Sequence, residues 1–196
     1  MVVKAVITFL IKVFPLFLLV LIGWQQLGLA EIYHAMVAFV MSLVYPLFDS
    51  TGLVNSIGAA DGTFVIELMR RGVSLGSCDI IGGDITSNTA MLLSLYLASP
   101  ILLHPRSYLI FIGSSLAALF VIHCFTLGMT IYYAFSTNPN ITRRFSLGNF
   151  AVKFADSYVY FYEIMGMYLF ILALWLPYIY YCIIEVRRRT DKENEI

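Results

Sequence analysis

The sequence predicts an all-α polytopic membrane protein with about four transmembrane helices, an interfacial helix and a short β-hairpin outside the bilayer. Three observations carry this. Sixty per cent of the 196 residues are hydrophobic and only 12% are charged, about half the charged share of a soluble domain. The mean hydropathy is +0.85, so lipid rather than water is the solvent for most of the surface. The apolar residues gather into runs of the length that crosses a bilayer core, about 20 residues.

The expected spans are residues 5–24, 88–103, 107–135 and 158–186. The first carries Lys12 and Pro15 and has no small-residue cleavage site, so it reads as a retained anchor rather than a signal peptide. A further apolar stretch, 31–48, holds Glu31, His34 and Pro46 and ends at Asp49. Lys4, the turn His104–Pro105–Arg106 and Arg187–Arg188–Arg189 share the cytoplasmic side under the positive-inside rule. That placement puts 25–87 outside as one unit and makes 31–48 a helix lying in the outer interface; the alternative is that 31–48 also crosses the membrane, giving five or more spans. Both termini are then cytoplasmic, and the 187–196 tail is a short charged extension. The setting that fits is a bacterial inner membrane.

Within 50–87 the chain changes character. Residues 52–57, the turn Ala60–Asp61–Gly62 and residues 63–69 read as a hairpin, because Asp-Gly between alternating runs is a strong turn signal. Phe64, Ile66 and Leu68 face one side of it, and Thr63, Glu67 and Met69 the other. The glycines at 72, 76, 82 and 83 make the remainder a flexible loop. The whole chain reads as one membrane domain.

Several function classes lack their signatures. Twelve basic and twelve acidic residues cancel, so nothing points to nucleic acid. Cys78, Cys124 and Cys182 are scattered, without CxxC or a His/Cys pair at metal-ligand spacing. There is no nucleotide fingerprint and no HExxH, so no cofactor is expected. Thr86, Ser87 and Asn88 read as caps for the second span. His123, inside the third span, reads as a neutral imidazole bonded to a neighbouring helix. Glu163 needs a tyrosine or the Thr126 region as partner, and the tyrosines at 132–133, 158–162 and 178–181 read as interfacial belts. Small residues at 113–118 and 128 permit close helix packing.

The order of these features is an anchor, an amphipathic stretch, and a ribbon with Phe64-Val65-Ile66-Glu67-Leu68. A polar-headed helix ending Ala98-Ser99-Pro100 follows, then a basic turn, a long helix with Gly113-Ser114-Ser115, and an aromatic last helix. This layout resembles the exosortase/archaeosortase family in its small single-domain form. The resemblance implies an inter-helix groove and a cysteine transpeptidase site built from a Cys, an Arg and a His at the outer ends of successive helices. The chain departs from that pattern at each place. It reads Ile85-Thr86-Ser87-Asn88-Thr89 where the cysteine head belongs, aligned on Ala90-Met91-Leu92-Leu93. Residues Ile122–Gly128 contain no arginine, the last helix opens Phe154-Ala155-Asp156-Ser157-Tyr158, and no histidine follows His123. The expectation is therefore an accessory subunit without the triad, binding lipid and a partner's hydrophobic helix, with Thr86, Ser87, Asn88, His123 and Glu163 lining the groove. The alternative is an active cysteine transpeptidase or protease with relocated groups: Cys78 as nucleophile, His123 as base and Asp156 assisting.

Overall fold

A computed structural model describes residues 2–49, 51–99, 104–138, 141 and 148–194, with backbone alone for 2–8, 10 and 189–194. It is mostly helical. In chain order the elements are α1 (Val2–Gln26), α2 (Leu29–Val44) with a 3-10 turn Tyr45–Leu47, and strands β1 (Val54–Ala60), β2 (Thr63–Arg70) and β3 (Val73–Ile81). There follow α3 (Gly82–Thr86), α4 (Asn88–Ala98), α5 (Pro105–Thr137), α6 (Asn149–Phe161), a π-helical turn Tyr162–Gly166 and α7 (Met167–Asn194). The chain divides into two compact units. One comprises residues 1–27, 88–119 and 168–196, and the other 28–87 and 120–167.

Among the described residues, three helices are long and apolar enough to cross a bilayer: Leu29–Leu47, Pro105–Thr137 and Asn149–Arg188. The protein is thus membrane-embedded. The expected spans at 107–135 and 158–186 lie inside the second and third, and the N-terminal helix carries an apolar run over Ile11–Gln26. Two further segments carry the remaining expectations. The stretch 31–48, expected in the interface, has the length and hydropathy of a span, and its Glu31 lies in the first turn of the helix. The expected span 88–103 is described as a helix only over Asn88–Ala98; residues 100–103 lie outside the described part. The eleven described residues rise about 16 Å. Ala90, Leu92, Ser94, Leu95 and Tyr96 are all buried, so α4 is wrapped by protein and is apolar for that reason.

In the first unit that wrapping centres on tyrosine. The Tyr96 hydroxyl donates to Ser115 Oγ at 2.8 Å, and Ser115 donates onward to the Leu174 carbonyl at 3.1 Å. Tyr108 donates to the Tyr96 carbonyl at 2.9 Å, and the ring of Tyr178, fully buried, meets the rings of Tyr96 and Tyr108 at 5.3 and 5.5 Å. Tyr178 is therefore core rather than interfacial belt; Tyr180 and Tyr181 remain exposed.

The second unit is built on one stripe of α2. His34, Val37, Ala38 and Met41 recur at the spacing of a single helix face, and Tyr45 continues it into the 3-10 turn. Against them pack Cys124, Leu127, Ile131 and Phe135 of α5, and Ile57, Phe64 and Ile66 of the sheet. The expected alternation in β2 holds: Phe64 and Ile66 are fully buried while Glu67 is exposed. Asp49 sets the entry to the sheet, accepting the backbone N–H groups of Thr51 at 2.9 Å and of Leu53 and Val54 at 3.2 Å.

The Asp61–Gly62 hairpin is present, with Ala60 opposite Thr63 and positive φ at both turn residues, 49° and 76°. The expected flexible loop after it is largely strand. Arg71 and Gly72 repeat the two-residue turn at φ 50° and 79°, Arg70 faces Val73, and β3 completes an antiparallel meander of order β1-β2-β3. A left-handed arginine is an uncommon first residue for such a turn, which hides the second hairpin in the sequence.

Candidate functional site

Polar side chains gather in the second unit, where α2, α3, α5 and α6 carry them into an otherwise apolar interior. Consecutive positions on a helix point about 100° apart, so Tyr33 and His34 reach different neighbours. The Tyr33 hydroxyl lies 2.8 Å from Nδ1 of His123 on α5. Nε2 of His34 lies 2.6 Å from Oγ1 of Thr86 on α3.

The proton inventory of Thr86 fixes the state of His34. Oγ1 of Thr86 donates to the Gly82 carbonyl at 3.0 Å, and a hydroxyl has one proton to give. It must therefore accept from His34, which carries its proton on Nε2. Nδ1 of His34 is then an acceptor, and it is buried without a partner among the described residues. The imidazole lies directly on Gly82. A Cβ added there would come within 2.8 Å of Cε1 and 2.9 Å of Nε2, and within 2.8 Å of the Gly62 carbonyl, which already accepts the Gly82 N–H at 2.9 Å. Gly82 is the one residue that lets β3 turn into α3 beneath the ring.

Two more bonds tie the layer together. Tyr162, in the π-helical turn, donates to the Ile85 carbonyl at 2.6 Å. Thr126 donates to the Ile122 carbonyl at 2.9 Å and accepts from Tyr158 at 2.8 Å. Tyr162 is 2% exposed, so it too is interior rather than belt.

The sequence-expected site residues are not assembled into one centre. His123 is fully buried and bonded to a neighbouring helix, as expected. Thr86 does not cap α4: its hydroxyl is engaged by Gly82 and His34. Ser87 is exposed just past α3, and Asn88 is buried as the first residue of α4 in the other unit. Glu163 is exposed in the π-helical turn, and the Thr126 region expected to hold it is bonded to Tyr158 instead.

Cys78, His123 and Asp156 are likewise separate. Cys78 belongs to β3 rather than a loop, opposite Ile66 and half-buried against the core. Asp156 is exposed on α6, and no hydrogen bond joins the three among the described residues. Burial, and then the neighbouring Asp79 carboxylate, push the Cys78 thiol above its ordinary range, the reverse of what activates a nucleophile. No group of three His, Cys, Asp or Glu among the described residues is placed to hold a metal ion.

What the sequence reading missed is Tyr33, His34, Gly82 and Tyr162 acting as one layer. The available signal was the Tyr-His pair inside an apolar stretch, where a polar group needs a partner. Beside this layer lies a half-open groove of about 520 Å³. Met41 and Val44 of α2, Val121, Cys124 and Gly128 of α5 and Ala151 of α6 form its walls.

Gly82→Ala should lower stability by about 1–3 kcal/mol, since one of the clashing atoms is backbone and cannot swing aside. Gly83→Ala, where a Cβ meets nothing within 4 Å, should be neutral or mildly stabilising; thermal unfolding of both variants in detergent compares them. Thr86→Val removes the partner of Nε2 and should cost about 1–3 kcal/mol in the same assay. Because the Cys78 thiol is raised, its thiolate forms only above the usual thiol range. Its iodoacetamide labelling, followed by peptide mass spectrometry from pH 7 to 10, should stay slow until that range is passed. Rapid labelling at pH 7 would contradict the raised thiol.

Comparison with protein-family models, curated proteins and solved structures finds no match for this chain.

Proposed function

We propose that this chain is a non-catalytic membrane subunit of exosortase-like layout, holding a transmembrane segment of a partner protein in the groove between α2, α5 and α6. The observation that carries the reading is the groove itself: about 520 Å³ with apolar walls, on helices of spanning length. Gly128 and Ala151 lower its walls, and small residues are what let a second helix approach closely in lipid, where packing rather than water drives association. The volume takes several large side chains of such a helix. The adjoining hydroxyls and imidazoles hold elements of this chain together, so they support binding architecture rather than a reacting centre. The positions of Lys4 and Arg187–Arg189 favour cytoplasmic termini in a bacterial inner membrane.

A photo-crosslinking residue at Val121, 66% exposed on the groove wall, should capture a transmembrane peptide of one membrane protein in native cells. The same residue at Leu109, 65% exposed but outside the groove, should not. Filling the groove with Ala151→Trp should abolish the adduct while leaving the unfolding temperature unchanged. Adducts with lipid alone, or a protein adduct that survives Ala151→Trp, would refute the reading. Purified protein that processes a tailed substrate, and stops on Cys78→Ala, would replace it with an enzyme.

A further inference from the structure

We infer that the outer face of the sheet carries a binding cleft for a neutral polyhydroxylated ligand, a mono- or disaccharide, with Glu67 as its principal hydrogen-bond acceptor. Side chains alternate across a strand, so the side of β2 that buries Phe64 and Ile66 leaves Glu67 and Met69 on the opposite side. Both neighbouring strands depart from regular pairing at the same height on β2. Leu68 faces Val54 while Glu67 faces Ser56, which makes Asn55 an extra residue in β1. Leu68 faces Gly76 while Met69 faces Ser74, which makes Leu75 an extra residue in β3. Gly76 takes φ 112°, a conformation open to glycine. Bulges bend a strand and re-aim its side chains, and they recur beside binding sites. Between these two lies a half-open cleft of about 440 Å³, within the size range of small-molecule sites. It shares no residue with the groove between α2, α5 and α6, so the two sites are tested separately.

The chemistry of the walls selects the ligand. Asn55, Glu67, Ser74 and Ser77 supply polar groups, and Met69 supplies an apolar one. Oε2 of Glu67 accepts from Ser56 Oγ at 2.7 Å and from Asn55 Nδ2 at 3.4 Å. Those bonds hold the carboxylate in place, and Oε1 has no hydrogen-bond partner among the described residues. Ser74 accepts the Gly76 N–H at 3.4 Å, which leaves its proton to donate, and Ser77 can donate and accept. No basic side chain lines the cleft, so beside a carboxylate an anion has no counter-charge. One carboxylate is too few for a bare calcium ion, which takes about six to eight oxygen ligands. An exposed ion pair with an organic cation contributes little. Donors and acceptors set side by side suit sugar hydroxyls, each of which does both. The half-buried Met69 side chain suits the C–H face of a sugar ring.

The test uses the full chain in lipid nanodiscs, free of glycoside detergent, with ligand-observed NMR. The probes are glucose, galactose, N-acetylglucosamine, maltose and lactose. At least one should bind saturably with a Kd of about 1–10 mM, the range expected of a few solvent-exposed hydrogen bonds. Glu67→Gln should raise that Kd about tenfold and Ser77→Val about fivefold. Asp79→Asn, on the same face two residues beyond Ser77 but outside the cleft, should leave it unchanged. All three side chains are exposed, so the unfolding temperatures should match the wild type and lost binding would not be lost fold. Failure of every probe to bind saturably, or binding that Glu67→Gln leaves intact, would overturn the inference. Binding of methylguanidinium in place of the sugars, weakening as salt rises, would also overturn it, because the carboxylate would then be reading a cation.

Discussion

In hydrocarbon there is no water for a buried donor or acceptor, so a hydroxyl or imidazole on an apolar helix must find its partner on another element of the protein. The second unit is organised around that requirement. His34 reaches α3 through Thr86, Tyr33 reaches α5 through His123, Tyr158 reaches α5 through Thr126, and Tyr162 reaches the Ile85 carbonyl. Each bond crosses between elements that are distant in sequence. The apolar stripe of α2 sets which faces meet, but apolar packing alone tolerates sliding and rotation; the polar pairs select one register. The His34–Thr86 bond depends on close backbone approach at Gly82, where the ring of His34 occupies the space of a side chain.

The same requirement bears on the grouping of Cys78, His123 and Asp156. A general base needs a free lone pair aimed at a substrate proton, and a nucleophile needs a neighbour that lowers its pKa. Here Cys78 has the opposite environment, with burial and Asp79 both favouring the protonated thiol. His34 retains an unpartnered Nδ1, but that atom is enclosed, and His34 is not among the residues lining the groove. The ionisable side chains at the surface, Asp156 and Glu163, are not gathered with it. What faces the groove is instead apolar, with glycine and alanine in its walls. The hydroxyls and imidazoles of the layer are engaged in bonds between elements of the chain.

Several features were legible in the residues. Asp61-Gly62 announced its hairpin because a two-residue turn with both φ angles positive selects those residue types, and the alternation of Phe64, Ile66 and Glu67 gave the buried face. Residues 107–135 and 158–186 were long enough to fix their helices, and the burial of His123 on a partner followed from its position in an apolar run. Others were hidden for physical reasons. An eleven-residue apolar helix such as α4 reads alike whether lipid or protein surrounds it. The tyrosines 162 and 178 have an apolar body and a polar tip, which suits an interface and a satisfied core equally well. β3 could not be recognised from its own composition: Gly76 interrupts it and five of its first residues are exposed, so its order comes from the ladder with β2.

Gly82 and Gly128 show why residue type alone could not have located the site. Both lie in the second unit and both lack a side chain where a neighbour is close. At Gly82 the neighbours of an added Cβ would include a carbonyl oxygen at 2.8 Å, and backbone cannot yield. At Gly128 the nearest atom would be the Met41 methyl at 3.2 Å, the end of a flexible side chain that can swing aside. The first glycine is therefore a constraint on folding. The second leaves room on the groove wall that can change shape. The same residue type serves at both places, and only the stiffness of what surrounds each glycine tells them apart.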